Sequence, residues 1–239
     1  MSFRVAVVGV GRMGKLHARV LHEMDGAELA AVVDTNEAAA RSVARQRDCA
    51  ALTDPADAVE LADAAIIAVP TLEHAAAAGP FIDAGKPVLI EKPLTADPAA
   101  GEELLARAER SGASVQVGHT ERFNPAVVAL RKYDIHPKFI EAHRISPFTF
   151  RSADVGVVLD MMIHDIDLVL MLARGHVEEV RAIGVNVIGE PEDICNARLT
   201  FDNGCVANVT GSRLAIKTER KMRIFSEEAY VSVDYGKKV

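Results

Sequence analysis

The sequence predicts an α/β chain, with a doubly wound parallel sheet at the N-terminus and a C-terminal α+β domain built on an open-faced sheet. Three observations predict this. Short β-rich apolar runs alternate with Ala-rich helical runs as far as His119, and continuous apolar strands between helices belong to parallel sheets covered on both faces. Gly9-Val10-Gly11-Arg12-Met13-Gly14 directly follows the first such run and opens a helical one, as the dinucleotide turn of a Rossmann domain does. Beyond His119 the pattern changes to one long apolar helix followed by successive strands.

In the first half the expected strands are Arg4–Val8, Glu28–Val33, Ala50–Leu52, Ala65–Val69, Val88–Glu91 and Val115–Gly118. Helical stretches separate them at Met13–Glu23, Glu37–Arg47, Ala56–Leu61, Leu72–Ala84 and Pro98–Ser111. Gly79-Pro80 falls inside the fourth stretch, where proline removes a helical hydrogen bond, and should kink it or end it early. In the second half the expected elements are a helix over Pro125–Arg131, a strand at Phe139–Ile145 and a helix over Val155–Leu172. Strands then follow at Val180–Ile188, Ile194–Phe201, Cys205–Gly211, Lys221–Phe225 and Tyr230–Tyr235. Asp202-Asn203-Gly204 is a tight-turn signal, and strands joined by short turns pair antiparallel. The expected domains are residues 1–119 and 120–239. A sheet with more strands than one helix layer can cover needs a partner for its bare face, so a homodimer or homotetramer is expected.

A net charge of −7, with no cluster of Lys and Arg, argues against nucleic acid and against an anionic membrane surface. No segment is long enough to span a bilayer, and the N-terminal apolar run lacks a cleavage site. Cys49, Cys195 and Cys205 have no metal-ligand spacing, so no metal is expected. They read as reduced, buried thiols of a cytoplasmic protein.

The glycine motif carries the first chemistry. Gly9 permits the tight turn, Gly11 lets backbone approach a pyrophosphate, and Gly14 allows close helix–strand packing. The helix that follows offers free N–H groups and its dipole to the anion. Asp34 ends the second strand about twenty residues after Gly14, where a carboxylate binds both ribose hydroxyls and repels a 2′-phosphate. That favours NAD over NADP; a glycine turn with no ligand is the alternative.

Glu91-Lys92-Pro93 ends the fifth strand, on the side where such sheets bind ligands. Lys92 is a candidate for polarising a substrate hydroxyl, or a solvated lysine before a proline turn. On the apolar helix Val155–Leu172, which should be buried, Asp160, His164 and Asp167 share one face, and Asp165 points elsewhere. Buried charge must line a polar cavity or be paired. His164 is therefore either a general base or part of a network fixing this helix to the first domain. Gly118-His119-Thr120-Glu121-Arg122-Phe123-Asn124-Pro125 offers donors and acceptors at the domain junction, or simply connects the domains.

With these residues in place, the chain resembles the glucose-fructose oxidoreductase / inositol dehydrogenase / rhizopine-catabolism family along its length. The features shared are Gly9–Gly14 followed by His17, Val69-Pro70-Thr71 with His74, Glu91-Lys92-Pro93, Asp160-x-x-x-His164 and the sheet-rich tail. The resemblance implies an NAD(P)-dependent dehydrogenase of sugars and polyols whose open-faced sheet mediates oligomerisation. It implies that Lys92 contacts the reacting hydroxyl, His164 is the acid/base and Asp160 binds substrate. Arg12, Met13, Thr71, His74, Glu91 and Lys92 join the glycines and Asp34 around the cofactor, Arg122 and Asn124 join the substrate site, and Lys92-Pro93 is expected cis. The Gly118–Pro125 and Ile163–Asp167 runs look closest to the nucleotide-sugar branch, whose substrate would be a UDP-N-acetylhexosamine oxidised at C3. An inositol or free-sugar dehydrogenase and a non-catalytic NAD-binding regulator remain the alternatives. Members of the family usually continue past the position of Val239 with a strand and closing helices, so a chain truncated at its C-terminus is expected.

Overall fold

Between Gly118 and His119 the chain divides into two units. The structure is a computed structural model and describes residues 2–148 and 155–239. The first unit alternates strand and helix: β1 (Phe3–Val8), α1 (Arg12–Glu23), β2 (Ala27–Val33), α2 (Glu37–Arg47), β3 (Ala50–Leu52), β4 (Ala64–Ile67), α3 (His74–Asp83), β5 (Val88–Ile90), α4 (Pro98–Ser111) and β6 (Val115–Val117). All its strand pairs are parallel, in the order β3-β2-β1-β4-β5-β6. The order reverses direction at β1, and a doubly wound sheet opens a ligand crevice at the carboxyl ends flanking that switch point. Val5, Val7 and Val32 pack toward α1 and α2, while Ala6, Ala31 and Ile67 pack with Ala78, Phe81 and Ile82 of α3.

Two local expectations are corrected here. The stretch Ala56–Leu61 forms only a short 3₁₀ turn, Pro55–Ala58, capped by the Asp54 carboxylate on Ala56 N. Of the two outcomes expected at Pro80, a kink or an early end, the early end does not occur: helix α3 runs through Pro80 to Asp83. Phe81 and Ile82 are both fully buried, and burying two such side chains offers roughly 3–6 kcal/mol, enough to outweigh the ~3 kcal/mol cost of an internal proline. Gly79 leaves room for the Arg107 guanidinium of α4, which lies 2.9 Å from where a Cβ would stand.

The second unit contains α5 (Pro125–Leu130), β7 (Phe139–Ile145), α6 (Ile163–Ala173), β8 (Val177–Val185), β9 (Ile194–Phe201), β10 (Val206–Ser212), β11 (Glu219–Phe225) and β12 (Tyr230–Asp234). The Asp202-Asn203-Gly204 turn closes the β9–β10 hairpin, with Gly204 at φ +82°. Not every successive pair of strands is adjacent, however. The order is β12-β11-β7-β10-β9-β8, so β7 separates β10 from β11 and pairs parallel with β10. Strand β8 also begins and ends three residues earlier than expected. Along β9, buried and exposed residues alternate, which is the pattern of a sheet covered on one face. The covering layer includes Met162, Leu168 and Val169. Helix α6 is half-buried rather than enclosed all round, and Leu170 is exposed, because this sheet meets one side of it.

Candidate active site

In the first unit the glycine turn is shaped by contacts that only glycine permits. Gly9 has φ +90°, and a Cβ there would lie 2.7 Å from the Ala68 carbonyl group just beyond β4. A Cβ on Gly14 would meet the Gly9 carbonyl oxygen at 1.7 Å, so α1 can approach the turn only without one. Gly11 faces open space. No acidic residue lies in the first turn of α1 and no side chain caps it, which leaves its amides for an anion.

Beside this turn is a cavity of about 510 Å³ reached by Gly9, Gly11, Asp34, Val69 and Pro70 at the strand ends. Asp34 accepts from Val10 N at 2.8 Å and from Asn36 N at 2.9 Å. That fixes its carboxylate at the end of β2 while each oxygen keeps a further lone pair. A glycine cradle open at Gly11, uncapped amides and a fixed carboxylate fit a dinucleotide with a free ribose diol. Arg12 and Met13 are exposed in the first turn of α1. Thr71 opens a 3₁₀ turn directly after Pro70.

His74 is set back from the cavity and fully buried. Its Nδ1 lies 2.9 Å from the Pro93 carbonyl oxygen, and its Nε2 lies 3.1 Å from that of Val69. Glu91, also buried, accepts from His17 Nε2 at 2.8 Å. Lys92 is half-buried, and its peptide bond to Pro93 is cis.

In the second unit, Asp160 lies within a π-helical turn, Val158–Met162, that runs directly into α6 with His164 on it. Such turns insert a residue into a helix and recur at functional sites. Asp160 and His164 are both half-buried. Asp167, on the same expected face, is paired: Arg122 forks onto it, with Nε at 2.7 Å, and His119 lies 3.8 Å away. Arg122 is still 45% exposed at its side chain. Asn124 spends its amide locally, donating to Glu121 and to the Tyr235 carbonyl and capping α5 through Ala126 N.

Several pairings left no trace in the sequence. Arg144 forks onto the fully buried Asp165 and also reaches Glu121 at 2.9 Å. Burial raises the Asp165 carboxyl, and the Arg144 guanidinium opposes that rise. Burial likewise pushes the Tyr235 phenol up, with Arg144 stacked over its ring. Asp193 accepts from Val187 N and Ile188 N and from Arg213 Nε. The two amides and the guanidinium hold its carboxyl well below the usual range. Glu192 caps the start of the Asp160 helix through Val158 N, in space left by Gly156. The side-chain partners in these pairs are twenty or more residues apart, and only Glu121 and Asp165 stood in motifs.

Residues 3–119 match the oxidoreductase family with an NAD-binding Rossmann fold, and residues 132–232 match the GFO/IDH/MocA C-terminal domain. The chain is 37% identical over 98% of its length to a UDP-N-acetylglucosamine 3-dehydrogenase of Acidithiobacillus ferrooxidans, covering 75% of that protein. A solved structure of that enzyme superposes with a TM-score of 0.94 at 36% identity, over the whole of this chain and 79% of the other. An inositol 2-dehydrogenase of Rhizobium meliloti is 32% identical over 72% of this chain and 55% of its own. The dinucleotide that the glycine cradle and Asp34 fit is therefore NAD, and the chain belongs to the glucose-fructose oxidoreductase / inositol dehydrogenase / rhizopine-catabolism (Gfo/Idh/MocA) family of NAD-binding oxidoreductases.

Proposed function

We propose that this protein oxidises a secondary hydroxyl of a nucleotide sugar, with a UDP-N-acetylhexosamine oxidised at C3 as the substrate. The likeness to a UDP-N-acetylglucosamine 3-dehydrogenase over nearly the whole chain carries this reading. Bound NAD supplies the hydride acceptor. Gly9, Gly11 and Gly14, with the Arg12 and Met13 amides, hold its pyrophosphate, and Asp34 holds its ribose. Thr71 and Glu91 border the pocket, and His74 supports it from behind through Val69 and Pro93.

In this mechanism His164 accepts the hydroxyl proton as the C–H bond breaks, and the ammonium of Lys92 stabilises the negative charge that develops on that oxygen. Asp160 binds the sugar and orients it. Arg122 presents the outer edge of its guanidinium to the substrate, and Asn124 shapes the loop that carries Arg122. The free thiols of Cys49, Cys195 and Cys205 support a cytoplasmic location. The sheet face exposed among the described residues supports a homodimer or homotetramer.

NADH formation with UDP-N-acetylglucosamine, myo-inositol and free hexoses tests the substrate. Turnover of the nucleotide sugar alone is expected, and turnover of myo-inositol alone would replace the reading with the second one favoured by likeness to an inositol 2-dehydrogenase. For the mechanism, His164→Asn should lower kcat on the order of 10²–10⁴-fold while NADH binding stays close to that of the unmodified protein. Lys92→Met should act similarly. Full turnover in both folded variants would overturn these roles for His164 and Lys92, whereas NADH binding with no turnover of any of these substrates by the unmodified protein would point instead to a protein that binds NAD without catalysis.

A further inference from the structure

His17 sits on α1, one turn beyond Gly14, and the mechanism above gives it no task. Its Nε2 donates to Glu91 Oε1 at 2.8 Å, and side-chain exposures of 18% and 11% place the pair largely out of water. Glu91 is confined from the other side as well. A Cβ on Gly118 would lie 3.2 Å from Glu91 Oε2 and 3.3 Å from its Cα, so the backbone after β6 forms a close wall against it. Glu91 N donates to the Ile67 carbonyl, which pins the main chain at the same point. Lys92 is the next residue, and immediately after it His74 holds the carbonyl of Pro93.

The backbone of Lys92 is thus gripped on both sides by residues that histidines hold. A lysine amine rides on a flexible four-carbon stem, so the position of its backbone sets where the charge can reach. The helix that carries His17 is also the one whose first turn binds the cofactor pyrophosphate. We propose that His17 is a positioning residue which, through Glu91, sets Lys92 in register with the phosphate end of the dinucleotide site. This rests on the reading of Lys92 as the group that stabilises the reacting oxygen. A misplacement of about 1 Å can cost on the order of 10²-fold in rate, so the pair acts on turnover more than on cofactor affinity.

The test uses the full chain with His17→Ala, His17→Asn and His17→Gln. Asn is too short to reach Glu91, whereas the Gln amide reaches about as far as Nε2. The first readout needs no substrate: acetylation of each lysine by acetic anhydride in the NADH complex, followed by mass spectrometry. In His17→Ala and His17→Asn the Lys92 rate should change by about threefold or more, with Lys15 and Lys221 unchanged, and His17→Gln should restore it. NADH affinity should stay within about twofold, because the glycine turn and Asp34 are intact. On a substrate found in the NADH-formation screen, kcat should fall about tenfold with little change in KM for NAD, and His17→Ala should add nothing in a Lys92→Met background. An unaltered Lys92 rate in folded His17→Ala or His17→Asn overturns the proposal, and so does a loss of NADH affinity without a change at Lys92. Full turnover in Lys92→Met would remove the catalytic role of that lysine, yet the acetylation result would still decide whether His17 positions it.

Discussion

Asp34 engages two backbone amides at once, Val10 N from the glycine turn and Asn36 N beyond its own strand. Its charge should therefore be rigidly placed against any 2′-phosphate. NADH is expected to bind tighter than NADPH in parallel fluorescence titrations, and Asp34→Ala should narrow that gap; equal affinities in the unmodified protein would contradict it. The cysteines give a second residue-scale expectation. Cys195 and Cys205 are buried as the sequence implied, but Cys49 is only half-buried. Burial, with the nearby Asp48 charge second, still pushes the Cys49 thiol up to about 11, leaving on the order of 10⁻³ as thiolate at pH 8. Native protein should release almost no thionitrobenzoate from Ellman's reagent over minutes, and three equivalents once unfolded. Gly9, Gly14 and Asp34 could be read from the sequence because one short turn and one strand fix their spacing. The grip of His17 on Glu91, or of Arg144 on Asp165, could not, since nothing local brings residues so far apart together.

At the scale of elements, short-range rules succeed where no other force opposes them. Helix α4 starts at Pro98, capped by Asp97, and ends at Gly112 with φ +75°, which follows directly from cap and turn preferences. At Pro80 the expectation of an early helix end fails, because the burial of Phe81 and Ile82 is decided by the sheet beneath them. The separation of β10 from β11 by β7 was equally hidden, since turn residues report hairpins and not which distant strand enters the sheet. Gly14→Ala should abolish NADH binding and lower the melting temperature, because α1 would have to move off the Gly9 carbonyl. The loop between β8 and β9 gives a pH-dependent expectation. The depressed native carboxyl of Asp193 contributes stability that is complete above the unfolded aspartate value of about 4 and is lost as the pH falls through the lower native value. Asp193→Asn should therefore melt earlier than the parent at pH 7, with the gap constant down to about pH 4 and narrowing below it. A gap that widens in acid would contradict the assignment.

On the scale of the whole molecule, one face of the second unit's sheet is exposed among the described residues. That face carries polar pairs such as Arg223 on Glu141 and Asn196 on Thr210, with Ile183 67% exposed among them on the edge strand β8. Light scattering at micromolar concentration should report a dimer or tetramer, and Ile183→Glu should shift it toward monomer; a monodisperse monomer for the parent protein would count against assembly through this face. The central place of β7 also bears on the order in which the chain can fold as it is synthesised. Strands β1 and β2 of the first unit are adjacent in both sequence and space, so its sheet can begin to form while the chain is still emerging from the ribosome. Strand β7 emerges before any of its partners, and both of its edges stay vacant until β10 and β11 follow. Closing such long loops costs entropy before any contact repays it. During that interval Ile140 and Ala142, fully buried in the finished sheet, face water, and a nascent chain of this protein is most exposed to mispairing and to chaperone capture between the synthesis of Ile145 and that of Phe225.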